Sequence, residues 1–190
     1  IEVGALARIE IVLRVIDAEL PREDVARLGA INFGSFLELE RRDPRHLLAW
    51  MQLAHAHFFS VEFLRARPDI RDDVIDWDDY ARRYGSFFDG AAFTSERGYF
   101  GPRAAEPTTR FIIPHTDYWP VPATDRMPSD PARFSRALAE WEAFAKSKGW
   151  FDRPNATEWI LFVNSLDEPH DAKTLETIAK YEPLLADAGL

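Results

Sequence analysis

The segment 85–130 sets the strongest limit on how this chain can fold, because it breaks the helical pattern on either side of it. Eight aromatic residues, six prolines and four glycines are mixed within it. No period of about 3.6 residues runs through it. A compact domain rarely carries so long a stretch without helices unless it forms strands, binds something or wraps a partner. We therefore expect an irregular aromatic and proline-rich insertion, compatible with a small β-hairpin around 91–113.

Apolar residues recur at helical spacing before this segment. One stripe has a 3-4-3-4 spacing and consists of Leu6, Ile9, Leu13, Ile16 and Leu20. Pro21 can open a second helix at its first position. Asp43-Pro44 is typical of a helix start and predicts the longest helix, apolar on most faces and ending at Arg67 before Pro68. An acidic helix is expected over 72–84.

Helical signals return after the insertion. Ser129-Asp130-Pro131 is an N-cap followed by proline in the first turn, and Gly149 is placed to end that helix. The apolar run 158–164 fits a helix or a buried strand equally well. A last helix is expected from Asp171, with a kink or restart at Pro183.

These patterns predict a mainly α, helical bundle-like single domain over 1–190. In this interpretation 1–84 and 131–190 are helical and 85–130 is the irregular insertion.

Composition excludes several classes of function. The net charge is −9, which argues against a nucleic-acid partner, since phosphate backbones need clustered cations. It argues equally against binding an anionic membrane surface. No cysteine is present, so disulfides, thiolate metal sites and cysteine nucleophiles are excluded. We expect a soluble protein, cytoplasmic by default.

The leading functional hypothesis is an acidic helical interaction protein that acts as a subunit, adaptor or inhibitor-type partner. Aromatic residues are enriched at the cores of interfaces, and proline lowers the cost of ordering an extended arm. A protein partner would then contact the 85–130 segment, and no cofactor is required. The predicted binding surface consists of Phe93, Tyr99, Phe100, Phe111, Tyr118 and Trp119.

The alternative is a metal-dependent enzyme, suggested by His115-Thr116-Asp117. A histidine and a carboxylate two residues apart can bind one metal ion, and His170 is available as a second histidine. Together they would form a 2-His-1-carboxylate face suited to Fe(II). The string 114–120 resembles the His-x-Asp segment of the phytanoyl-CoA-hydroxylase-like 2-oxoglutarate oxygenases. That resemblance implies a jelly roll, whereas helical patterns separate the two histidines here.

A second metal hypothesis rests on the aspartates that open the acidic helix. The DDxxD spacing of Asp72, Asp73 and Asp76 would place three carboxylates along one helical face, where they could bind Mg²⁺ bridging a diphosphate. The motif is similar to the first aspartate-rich motif of isoprenoid diphosphate synthases. A solvated acidic helix explains the same residues.

The histidines on the predicted long helix are interpreted as core residues and not as metal ligands. His55 and His57 lie near the centre of an apolar helix, where hydrogen-bonded core histidines are commoner than metal ligands. The sequence leaves open whether the protein is an enzyme.

Overall fold

Helices alternate with short strands along the chain. The computed structural model describes residues 31–32, 44–59, 61–62, 66–115, 119–153, 156–161 and 170–188. The helices are α1 (Pro44–Ala56), α2 (Trp77–Phe88), α3 (Pro131–Ser147), α4 (Ala172–Ala179) and α5 (Tyr181–Ala188). The strands are β1 (Ile31–Asn32), β2 (Val61–Glu62), β3 (Ile70–Arg71), β4 (Val74–Ile75), β5 (Arg110–Ile112), β6 (Ala123–Thr124), β7 (Met127–Pro128) and β8 (Glu158–Ile160). The predicted helices over 6–20 and from Pro21 lie outside the described residues.

Two pairs of strands are parallel. β1 pairs with β2, with Ile31 opposite Val61, and β5 pairs with β8, with Phe111 opposite Trp159. β2 also lies beside β5, although β3, β4 and α2 come between them along the chain. Helix α1 separates β1 from β2, and α3 separates β5 from β8. Each parallel pair with its intervening helix is therefore a β-α-β unit.

The prediction of a mainly α, helical bundle-like domain is wrong, because the fold has mixed α/β character. The parallel strands are only two or three residues long, and so short a segment shows no periodicity that would distinguish a strand from a helix. The run 158–164, which suited both, contains strand β8. The predicted long helix ends at Ala56 instead of Arg67, since Phe58 takes a left-handed φ of 61° and Val61–Glu62 pairs with β1.

The predicted acidic helix over 72–84 is also corrected. Asp72 and Asp73 have φ values of 50° and 66° and form the tight turn between β3 and β4. Positive φ at both central residues is what such two-residue hairpins require. Helix α2 begins only at Trp77, where the Asp76 carboxylate accepts a hydrogen bond of 2.8 Å from the Asp79 amide.

The later helix boundaries are confirmed. Asp130 caps α3 by accepting a 2.9 Å hydrogen bond from the Arg133 amide, and Gly149 follows the helix with a φ of 69°. Asp171 caps α4 through the Thr174 amide at 2.7 Å, and the chain restarts as α5 at Tyr181. No helix in the described ranges is long and apolar enough to cross a membrane.

A β-hairpin does form within 85–130, but not around 91–113. It is β6–β7, with Thr124 opposite Met127 and a turn at Asp125-Arg126. In the region expected to hold it, two short 3-10 turns, Ala91–Phe93 and Ser95–Arg97, lead towards β5.

Aromatic rings fill the core between the β5–β8 pair and the helices that cover it. The Trp159 ring lies 4.6 Å from Phe88 on α2 and 4.9 Å from Trp141 on α3, measured between centroids. Phe88 also meets Phe111 on β5 at 4.7 Å. Much of the irregular segment therefore folds inward and contributes rings to this core.

His55 ties the irregular segment to α1 and confirms the core interpretation of that histidine. Its Nδ1 lies 2.7 Å from the Tyr99 hydroxyl, and its ring stacks on Phe93 at 3.8 Å. Burial lowers the pKa of His55 from 6.5 to about 3, and the positive charge of Arg103 acts in the same direction. His57, in contrast, is exposed.

The low pKa of His55 predicts a pH-dependent stability. Below pH 6.5 this histidine is protonated in the unfolded chain, whereas in the folded chain it stays neutral down to about pH 3. The free energy of unfolding should therefore fall as the pH drops, by about 1.4 kcal/mol in total from this group between pH 7.5 and 5.5, and by about 1.4 kcal/mol per pH unit below that. We expect His55→Leu to reduce the slope between pH 7.5 and 5.5, measured by urea denaturation. His57→Leu is the control, and an equal slope in all three proteins would contradict the prediction.

Candidate functional site

The candidate site is the edge at which β5 and β8 both end. The two strands are parallel and in register, with Ile112 opposite Ile160, so their carboxyl ends lie side by side. In α/β proteins ligands bind just outside the carboxyl ends of parallel strands, where the following loops supply the functional groups. The chain leaves β5 through Ile113, Pro114 and His115.

Among the described residues at this edge, His115 has a polar side chain that could bind a ligand. It is fully buried, and aromatic rings surround it: Trp119 at 5.1 Å, Phe134 at 5.7 Å and Trp77 at 6.4 Å between centroids. Within the described part of the chain, neither of its ring nitrogens makes a hydrogen bond of ordinary geometry. The Ala137 backbone lies close enough to act on one nitrogen, which leaves the other without a described partner. Buried polar groups are nearly always paired, so this nitrogen calls for an explanation.

The surroundings keep the His115 imidazole neutral. Burial lowers its pKa from 6.5 to about 3, the positive charge of Arg133 adds to the shift, and the backbone of Ala137 opposes it. Neutral imidazole is the form that coordinates metal ions. The aromatic enclosure also excludes water, which strengthens any polar interaction the ring makes.

The other two predicted metal ligands are placed less completely. Asp117 lies outside the described residues, five positions after the end of β5. His170 is exposed and directly precedes Asp171, the cap of α4. No three histidine, aspartate or glutamate side chains among the described residues cluster closely enough to hold a metal ion. The predicted triad of His115, Asp117 and His170 therefore stays a prediction.

Two acidic residues that the motifs did not single out become candidates for the site because of the β-α-β topology. Asp167 and Glu168 follow β8 in the sequence, before α4, and lie outside the described residues. The available signal was the run 158–164 interpreted as a strand. Acidic residues just after a buried parallel strand are candidates for a site at its carboxyl edge.

The DDxxD carboxylates do not share a helical face. Asp72 and Asp73 belong to the β3–β4 turn and Asp76 is the cap of α2. Asp73 accepts a hydrogen bond of 3.0 Å from Nε of the buried Arg133 on α3, so it fastens the turn to that helix. These positions give each aspartate a structural role and remove the helical basis of the Mg²⁺–diphosphate hypothesis.

The six aromatic residues of the predicted binding surface differ in their exposure to solvent. Four of them are buried, namely Phe93, Tyr99, Phe111 and Trp119. Tyr118 lies outside the described residues. Phe100 is 86% exposed and is the described member of the set that a partner could reach.

The loop that carries Phe100 is fixed on both sides. Before it, Tyr99 is buried against His55. A Cβ atom at Gly101 would collide with the Tyr99 ring, so that approach requires glycine. After it, buried Arg103 lies over the Phe58 ring at 5.7 Å, and the Ala105 amide donates to the Phe93 carbonyl at 2.8 Å. Phe100 is thus presented on a pinned loop.

Comparison with known proteins adds no assignment, since no family model, curated protein or solved structure matches this chain.

The role of Asp76 as a helix cap predicts how substitutions there behave. We expect Asp76→Ala to lower the free energy of unfolding by about 1 kcal/mol, because the Asp79 amide loses its acceptor. Asp76→Asn keeps an acceptor and should cost only a few tenths of a kcal/mol. Asp78→Ala, at an exposed neighbour, is the control, and urea denaturation measures all three. Equal losses for the alanine and asparagine variants would show that charge matters at Asp76 instead of capping.

Proposed function

We propose that the protein is a metal-dependent enzyme whose active site lies at the carboxyl edge of β5 and β8. The observation that carries this proposal is His115, a fully buried histidine three residues beyond β5 whose ring nitrogens make no hydrogen bond of ordinary geometry within the described part of the chain. Parallel β-α-β units use this edge for ligands, which supports the same location.

The proposed ligands are His115 and Asp117 after β5 and His170 after β8. Two histidines and one carboxylate form a set that suits Fe(II) and leaves coordination positions open. A metal ion held there would supply Lewis-acid or oxygen chemistry to a small-molecule substrate. Asp167 and Glu168 are candidates for further ligands or for groups that move protons at the substrate.

Metal binding by the purified protein tests this proposal. After removal of metal, we expect Fe(II) under anaerobic conditions, or Mn²⁺ or Zn²⁺, to raise the melting temperature. An ion that binds only the folded state adds about 2.7 kcal/mol at a hundred times its dissociation constant. His170→Gln and Asp117→Asn should weaken binding by more than about tenfold, since even the loss of a group that only supports a ligand costs that much. Isothermal titration calorimetry measures the dissociation constants.

His57→Gln is the matched control, because it removes an exposed histidine from α1. It should bind metal as the unchanged protein does. The proposal fails if no ion stabilises the protein, or if the three variants bind metal equally well. The same titration on Asp167→Asn and Glu168→Gln separates roles, because a ligand substitution weakens metal binding whereas a substrate-contacting group leaves it unchanged.

A second candidate function is protein binding through Phe100. A large apolar ring exposed on a preorganised loop loses little conformational entropy when it enters a partner's pocket, and such rings dominate binding energy at interfaces.

Phe100→Asp tests this second function. The substitution is at an exposed position, so stability should change by no more than about 0.5 kcal/mol. We expect a complex isolated from native extract by size-exclusion chromatography to be lost with Phe100→Asp. Val74→Asp, at another exposed apolar residue, is the control and should keep the complex. Retention of the complex by both variants would exclude Phe100 as the anchor.

A further inference from the structure

A cavity of about 410 Å³ lies where the start of α1, the middle of α2 and the second 3-10 turn meet. Four of the residues that line it are arginines: Arg45, Arg82, Arg83 and Arg97. None of its described lining residues is acidic, in a chain whose net charge is −9. Four cations at one cavity in an acidic protein make a local positive site.

The two arginines on α2 contact the Arg67 carbonyl and other side chains of the same helix. Arg83 donates to the Arg67 carbonyl at 2.5 Å and to the Tyr84 hydroxyl at 3.1 Å, and its guanidinium lies over the Tyr84 ring. Asp79 pairs with both Arg83 and Arg82. These bonds hold the half-buried guanidinium group of Arg83 at the cavity, beside the exposed Arg82.

A side-chain bridge brings the fourth arginine to the same place. Gln52 on α1 donates to the carbonyls of Ala92 and Arg97, at 2.8 and 3.0 Å. The bridge fastens the 3-10 turn that carries Arg97 to the helix that carries Arg45. The convergence is therefore a product of the fold, since the four arginines come from three separate elements.

The charge of the cavity calls for a ligand with more than one negative charge. Asp79 is the one carboxylate that pairs with Arg82 and Arg83, and no described carboxylate pairs with Arg97, so these three guanidinium groups carry more positive charge than Asp79 offsets. Guanidinium groups bind phosphate oxygens in pairs through parallel N–H donors. A dianionic phosphate group satisfies this arrangement better than a single carboxylate.

The rest of the lining describes the remainder of the ligand. Leu47, Leu48 and Phe87 provide an apolar wall, and the half-buried Ser86 adds a hydroxyl. Cavities of about 300–1,000 Å³ take small molecules. We propose that this cavity binds a small organic phosphate, with its phosphate among the arginines and its apolar body against the leucines and Phe87. This site is separate from the carboxyl edge of β5 and β8 and does not depend on the function proposed there.

Three probes at constant ionic strength test the ligand class by isothermal titration calorimetry. Phenyl phosphate carries both the dianion and the apolar body, inorganic phosphate lacks the body, and benzoate carries only one charge. We expect phenyl phosphate to bind with 1:1 stoichiometry and at least about tenfold more tightly than the other two, as expected when charge and apolar contact both contribute.

Arg97→Gln and Arg82→Gln are the test variants, because both side chains are exposed and their loss should leave the fold intact. Each should weaken phenyl phosphate binding about tenfold or more. Arg136→Gln removes the same charge from an exposed position on α3 and should bind within about twofold of the unchanged protein. Urea denaturation without ligand confirms that each variant is folded.

Three results would overturn the proposal. One is the absence of saturable phenyl phosphate binding below about 10 mM, well short of the affinity of ordinary ligand sites. Another is an equal loss in Arg136→Gln, which would mean nonspecific charge attraction. The third is equal binding of inorganic phosphate and phenyl phosphate, which would reject an organic ligand.

Discussion

The packing of Trp159 holds together the layers on which the rest of the structure depends. This one side chain, on β8, contacts Phe88 of α2, Trp141 of α3 and Phe111 of β5. The strands themselves are only two or three residues long, so their backbone hydrogen bonds alone could not fix the arrangement. Burial of large aromatic rings supplies the stability that such short strands lack.

The same burial explains why the irregular segment is not a free arm. The enrichment of aromatic residues at interfaces predicts a binding surface in this segment, yet four of the six predicted contact rings are buried. Prolines and glycines let the chain turn often enough to direct successive rings inward. The consequence for function is a division within one segment, with His115 enclosed at the carboxyl edge of β5 and Phe100 left on a pinned, exposed loop.

The net charge of the chain does not predict the charge around an individual cavity. A total of −9 argues against partners that need a positive surface, and it says nothing about where the arginines gather. One cavity is lined by four arginines from three separate elements, Arg45, Arg82, Arg83 and Arg97. Gln52 contributes to this arrangement because it fastens the 3-10 turn to α1. Screening limits charge effects to about 10 Å, so the local set decides what this cavity can bind.

The sequence by itself determined the features that depend on neighbouring residues. Asp130-Pro131, Gly149 and Asp171 mark helix ends correctly, because a cap involves a side chain and amides a few residues away. The role of Asp73 and the pairing of Val61–Glu62 with β1 could not be predicted in this way, since their partners lie far along the chain. Only the tertiary structure decided that β1 pairs with β2 and β5 with β8, that His115 is fully buried, and that four arginines share a cavity. Each of these depends on which distant segments pack together, and a local pattern carries no record of that.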